Sequence, residues 1–410
     1  MYMWVENLMG RLRGWIAKRG ETESSITKRA VPTLVVLITC ASLLLSGPGD
    51  ALAAAYSHAP EAAVERALAS QPLFRAADAR VSLLTIQAAL AQARASQIPD
   101  TRPSTLPYED TSTHIDAKTK YLLPMQASTG VAVAQRYEKA LEQNIRLATL
   151  TAYYSLAKTQ SLSGSAFLLE YALDKQVDIA WQARTHGLIT DKDVYQTEAK
   201  ASEAAAGNAA VAAAAAQARL ALCKLLGYAA ADSVAVQVPA YTEFAVDLDK
   251  AVQDALVNRY DVFKAQKDLE VAQYDLQLAS QGAAGSPLMY VEIAQAKVTE
   301  AQAMLDYHTR EVEFQVRSLH AALAATVAKY GSRQASYQAL YEALRVQERR
   351  RDEGLATDAD VTLARALSEQ ASAAVTEALC DIEIARARFA HSCSFGSALS
   401  QADTQTAQGQ

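Results

Sequence analysis

Cysteine, phenylalanine, tryptophan, proline and glycine are all scarce in this chain, and each shortage removes a class of protein. There are four cysteines, Cys40, Cys223, Cys380 and Cys393, and no two form a CxxC pair. Cys40 falls in an N-terminal leader, leaving an odd three, a pattern that argues against a disulfide framework or a zinc site. With seven Phe, three Trp, 16 Gly and 10 Pro in 410 residues, the rings and turn residues of a sheet-rich globule are missing. A basic surplus is missing too. The net charge is -6, and no cationic patch prepares the chain for nucleic acid.

The motifs of catalysis are equally thin. No phosphate loop, nucleophile elbow or dinucleotide fingerprint occurs. The six histidines, His58, His114, His186, His308, His320 and His391, are scattered. His308 and Glu311 share a helix face, but nothing near them in sequence completes a metal set. The pairs Asp191/Asp193 and Asp358/Asp360 have the spacing of helix-capping acids in a first turn, which explains them better than paired catalytic carboxylates without a cleft. Arg349-Arg350-Arg351 reads as a solvated charge run near a helix C-terminus. The sequence assigns no catalytic residue, metal ligand or cofactor.

What is present is alanine and helical periodicity. Half of the residues are hydrophobic, and the stretch Ala209 to Ala216 is nearly all Ala, which favours helix and close helix–helix approach. The chain is organised around a turn that occurs twice: Gly187-Leu188-Ile189-Thr190-Asp191-Lys192-Asp193-Val194 and Gly354-Leu355-Ala356-Thr357-Asp358-Ala359-Asp360-Val361. In each, Gly can close one helix in the left-handed conformation, and Thr190 or Asp191, and Thr357 or Asp358, can cap the next. Two matching copies point to an internal duplication.

Taken in order, residues 1–55 carry a basic leader, an apolar run from about Val31 to Leu45, a Gly-Pro-Gly break and Ala51-Leu52-Ala53. This is the pattern of a signal peptide cleaved near Ala53 to Ala55, or of an N-terminal anchor. Pro60 to Ser96 reads as one helical stretch. A proline-rich connector follows, in which Lys120 to Leu123 has some strand character. Long helices are expected from Val131 to about His186, from Val194 to Leu226, from Leu288 to Glu353 and from Asp358 to about Ala390. The helix ending at Glu353 would be roughly 100 Å long at 1.5 Å per residue. Along it Val316, Leu323, Tyr330, Tyr337 and Leu344 recur every seven residues, a coiled-coil seam.

Ala63-Val64, Ala67-Leu68 and Ala77 align with Ala251-Val252, Ala255-Leu256 and Ala265. The resulting division is 1–55 leader, 56–240 first repeat, 241–390 second repeat and 391–410 disordered tail. The expected fold is all-α: elongated coiled-coil helical hairpins in two tandem repeats, with little or no β.

This plan resembles the outer-membrane efflux protein family, the TolC-like channels. The matching stretches are Ala67-Leu68-Ala69-Ser70-Gln71-Pro72-Leu73-Phe74-Arg75-Ala76-Ala77, Ala91-Gln92-Ala93-Arg94-Ala95, Leu222 to Gly227 and the two Gly-Leu turns, together spanning about residues 60–390. The resemblance implies a homotrimer whose barrel in the outer membrane continues as a helical tunnel, the passive part of a multi-part export system with a periplasmic adaptor protein and an inner-membrane pump. It makes Gly187, Leu188, Thr190, Gly354, Leu355 and Thr357 the partner-docking tips. Where family members often carry Val before the Gly, this chain has His186 and Glu353.

A membrane-crossing strand takes about 9–11 residues, and the second connector, Gln281 to about Glu292, cannot hold two. The sequence therefore leaves a second reading, a non-conducting coiled-coil scaffold of the cell envelope derived from such channels.

Overall fold

The computed structural model describes residues 55–98, 117–281 and 288–395. The leader with its expected cleavage site, most of the first connector and residues 396–410 of the tail lie outside the described residues. Of the described residues 87% are helical, and the fold class is as expected. A short strand β1 (Ala55–Ser57) precedes α1 (Pro60–Ser70), α2 (Pro72–Gln97), a π-helical turn (Lys118–Leu122), α3 (Leu123–Thr185) and α4 (Asp191–Leu226). Strand β2 (Ser233–Ala235) then leads to α5 (Leu248–Asn258), α6 (Tyr260–Gln281), α7 (Leu288–Asp352) and α8 (Asp358–Cys393). The duplication is plain in the lengths: 11, 26, 63 and 36 residues in the first repeat, 11, 22, 65 and 36 in the second.

Three boundaries differ from the sequence reading. The stretch from Pro60 to Ser96 is two helices, because Pro72 opens α2 and holds Gln71 in extended backbone at φ -77°, ψ 119°, the conformation a following proline favours. Lys120 to Leu123 is helical rather than strand. There Leu123 donates its N–H back to the Lys118 carbonyl, and this wider π spacing carries the chain into α3 just ahead of Pro124, which has no N–H to give. Finally, α8 runs to Cys393, so the disordered tail cannot begin at residue 391. The Phe395 carbonyl accepts the Tyr260 N–H at 2.8 Å, and Arg136 lies 5.2 Å from the Phe395 ring.

The four long helices form one layer. Helix α4 packs on α3, α3 on α8 and α8 on α7, so α4 and α7 are its outer members. At the connector end α2 lies on α3, and α6 lies between α3 and α7. The landmarks aligned between the repeats are buried: Ala63, Val64, Ala67 and Ala77 in the first, Ala251, Val252, Ala255 and Ala265 in the second. Along α7, Val316, Leu323 and Leu344 are buried and Tyr330 and Tyr337 half-buried. Burying each Val or Leu of such a seam contributes about 1.5–3 kcal/mol.

Mid-layer, Lys158 of α3 meets Glu377 at 2.9 Å and Asp381 at 3.1 Å on α8, while Lys329 of α7 meets Asp381 at 2.9 Å. One cluster of charges thus fixes the axial register of three helices. Where the two repeats join, β1 pairs in parallel with β2, Tyr56 opposite Val234. The Tyr56 ring stacks on Tyr228 at 4.0 Å, and the buried Tyr153 hydroxyl donates to the His58 carbonyl at 2.8 Å while accepting the Gln237 N–H at 2.7 Å.

Candidate partner-docking tips

Each hairpin tip follows from the need to satisfy the last carbonyls of one helix and the first N–H groups of the next. At the end of α3, Leu188 donates to the Ala183 carbonyl and Gly187 to the Arg184 carbonyl, both at 2.9 Å. At the end of α7, Leu355 donates to Arg350 at 2.7 Å and Gly354 to Arg351 at 2.9 Å. This is the paired bonding of a Schellman motif, and it needs a left-handed residue after the helix. Gly187 and Gly354 supply it at φ 71° and 74°.

Of the alternatives the sequence left for the N-caps, the structure selects Thr190 and Thr357. Thr190 Oγ1 accepts the Asp193 N–H at 3.4 Å, and Asp193 Oδ2 accepts the Thr190 N–H at 3.0 Å. The second tip repeats the box at 3.2 Å and 2.9 Å with Asp360. Bonds from the Thr190 side chain and backbone hold the Asp193 carboxyl below its ordinary range. For Asp360 the same bonds from Thr357 act, backbone first.

Leu188 and Leu355 project into solvent, 76% and 65% exposed. All six tip residues named from the sequence thus gather at the two helix reversals: Gly187, Leu188 and Thr190 at one, Gly354, Leu355 and Thr357 at the other. The chemistry around them differs between copies. Arg184 pairs with Asp191 at the first tip, and Arg351 with Asp352 at 2.7 Å at the second.

Sequence reading missed the braces just behind the tips. Trp181 Nε1 donates to Glu198 Oε1 at 2.9 Å across the first hairpin, and Arg365 meets Glu348 at 3.2 Å across the second. These are the same positions at the offset of the duplication, filled by different residue types. No group of three or more metal-ligating side chains occurs among the described residues. His308 and Glu311 line a groove between α6 and α7 instead.

No protein-family model matches the chain, and no curated protein does. Solved structures do. The outer membrane protein VceC of Vibrio cholerae superposes with a TM-score of 0.62 at 18% identity, over 82% of this chain and 96% of that one. The CmeC outer membrane channel of Campylobacter jejuni gives 0.63 at 12% identity over 85% and 89%, and the open MtrE outer membrane channel of Neisseria gonorrhoeae 0.61 at 15% over 82% and 89%. Two tandem repeats of short helices, a long helix, a Gly-Leu tip and a returning helix give this chain the fold of the TolC-like outer-membrane channels.

Proposed function

We propose that the protein is an exported, passive tunnel component of a multi-part efflux system in the cell envelope, working as a homotrimer with a periplasmic adaptor protein and an inner-membrane pump. The observation that carries this reading is the helical layer with two unfinished edges. Helix α4 exposes Tyr195 and Leu220 along one edge, and α7 exposes Tyr341 and Val346 along the other. By length and composition α4 is apolar enough to cross a membrane, yet only 17% of its apolar window is buried. An edge of exposed alanines is what another helical layer would cover. Copies set edge to edge, α4 of one beside α7 of the next, close into a ring with a lumen.

Such a ring conducts without chemistry. Transport energy would come from the pump, and the tips, the most exposed ends of the hairpins, would meet the adaptor. Deletion of the gene should raise retention of an exported dye, and the wild-type gene should restore export. Unchanged export in the deletion strain, with no related channel in the host, would contradict the reading.

A second reading is favoured by one measurement. Helix α6 ends at Gln281 and α7 begins at Leu288, so six residues join them, fewer than the roughly 9–11 of a single membrane-crossing strand. On this reading the same ring is a non-conducting envelope scaffold. Lipid admits only helices or closed barrels, and six residues are too few to cross it as either.

A further inference from the structure

The end of α8 is held to α3 and to the start of α6 at once. His391, in the last turn of α8, lies with Nε2 2.7 Å from Asn144 Oδ1 on α3. The Ser394 N–H closes the helix on the Ala390 and His391 carbonyls. One residue further, the Phe395 carbonyl accepts the Tyr260 N–H at 2.8 Å, a donor in the first turn of α6 that the helix itself cannot satisfy. The Phe395 ring faces Arg136 at 5.2 Å and Lys139 at 5.6 Å, both on α3. Arg136 also lies over the Phe263 ring of α6 at 4.5 Å. Through these contacts the last turn of α8 clasps α6 to α3.

His391 is the member of this clasp whose charge changes near neutral pH. It is half-buried, and its surroundings do not welcome a cation. Between α5 and α6, Arg259 is 2% exposed and sets a fixed positive charge against it. The anion beside that arginine, Asp261, is already taken up by its fork at 2.6 and 3.1 Å. From α3 comes the neutral Asn144, whose Nδ2 is buried without a hydrogen bond among the described residues. From α5, the charge of Asp254 reaches the neighbouring Cys393. From α7, His320 lies 6.0 Å from the Phe389 ring, and Gln315 is held by Arg259 at 2.8 Å. On α8 itself Arg388 stands one turn back, exposed. Among the described residues no carboxylate is bonded to the imidazole.

Burial first, and then the Arg259 charge, lower the His391 pKa from its ordinary value. The closed clasp therefore favours the neutral ring. Its stability is complete above the ordinary histidine pKa and is lost as pH falls from there toward the folded value.

We infer that the end of α8 is an acid-released clasp: protonated His391 leaves its place against Asn144, Phe395 comes away from Arg136, and the Tyr260 N–H loses the Phe395 carbonyl. The clasp acts within one chain and is separate from the way copies assemble. Its opening loosens the seat of α6 on α3, where the short helices of the second repeat meet the long helices of the first.

Cys393, two residues past His391 and half-buried, reports the state of the clasp, while Cys223 and Cys380 are buried. The test follows its reaction with a dipyridyl disulfide, which stays reactive in acid, on the peptide containing Cys393. Divided by the rate for free cysteine at each pH, the wild-type rate should rise from about pH 7.5 to about pH 5, by as much as about tenfold per pH unit. His391→Gln keeps an amide donor for Asn144 Oδ1 but takes up no proton, so its corrected rate should be flat. In the wild type, hydrogen exchange corrected for its intrinsic pH dependence should show residues 257–263 losing protection in acid while residues 150–157 keep theirs. A flat corrected rate in the wild type, or an equal rise in His391→Gln, would overturn the clasp. Unchanged protection at residues 257–263 would overturn it too, however the variant folds.

Discussion

Lys118 approaches Asp275 to 2.8 Å, and Asp275 is 4% exposed. This pair, with Lys297 at 3.4 Å on the other carboxylate oxygen, fastens the π-helical turn, α6 and α7 where the two connectors leave the helical layer. Burial alone would raise the Asp275 pKa, but the close pairing with Lys118 and the charge of Lys297 outweigh it and leave it lowered. A carboxyl with a lowered folded pKa stabilises the fold above its unfolded pKa, and that stability is lost as pH falls through the folded value. Asp275→Asn should cost about 1.5–3 kcal/mol, the range for a bond to a charged group, because the lysines it leaves are partly in solvent. Urea titrations at neutral and acid pH should show a large gap between wild type and variant at neutral pH that closes in acid.

The three left-handed glycines among the described residues should respond unequally to alanine. A Cβ at Gly187 or Gly354 would meet no atom within 4 Å, so each change costs only the strained backbone, about 1–2 kcal/mol. Gly227 also has φ 71°, but a Cβ there would lie 2.9 Å from Ser70 Cβ. Gly227→Ala should therefore destabilise more than Gly187→Ala or Gly354→Ala. Equal shifts in thermal midpoint for all three would show that the contact with Ser70 is relieved freely.

Leu188 and Leu355 make the docking role of the tips testable, because side chains this exposed contribute little to folding. A Leu188→Asp/Leu355→Asp variant should keep the helical signal and thermal midpoint of the wild type yet lose efflux and adaptor association. If that variant folds and exports at the full rate, the tips are not the docking site.

The six residues between Gln281 and Leu288 lead to a spectroscopic expectation. Circular dichroism of the purified mature chain should show almost pure helix, with far less strand than a channel having two full hairpins per subunit. A substantial β signal together with large, stable conductance steps in a planar bilayer would show that the membrane portion is complete.

Much of this molecule was legible in its sequence, because duplication makes weak signals count twice. Alanine-rich helical spacing is ambiguous once. The pairs Ala67-Leu68 and Ala255-Leu256, and Gly187 and Gly354, carried it from plausible to definite, and the buried alanines and left-handed glycines sit where the alignment put them. The misreadings arose where local propensity and the actual bonding diverged. Lys120 to Leu123 looked extended because prolines surround it, yet the bond from Leu123 to Lys118 continues the helix through Pro124. Phe395 lay in a polar tail and gave no hint that Arg136 and Tyr260 would hold it. The braces behind the tips went unseen for a different reason: Trp181 with Glu198, and Glu348 with Arg365, share positions but not residue types.

The central claim is that copies of this chain stand edge to edge around an open lumen, and electron cryomicroscopy of the purified oligomer tests it most directly. The account predicts a ring of three copies, α4 of each beside α7 of the next, with a continuous channel along the long helices. A monomer, or a bundle whose centre is filled by its own side chains, would contradict it.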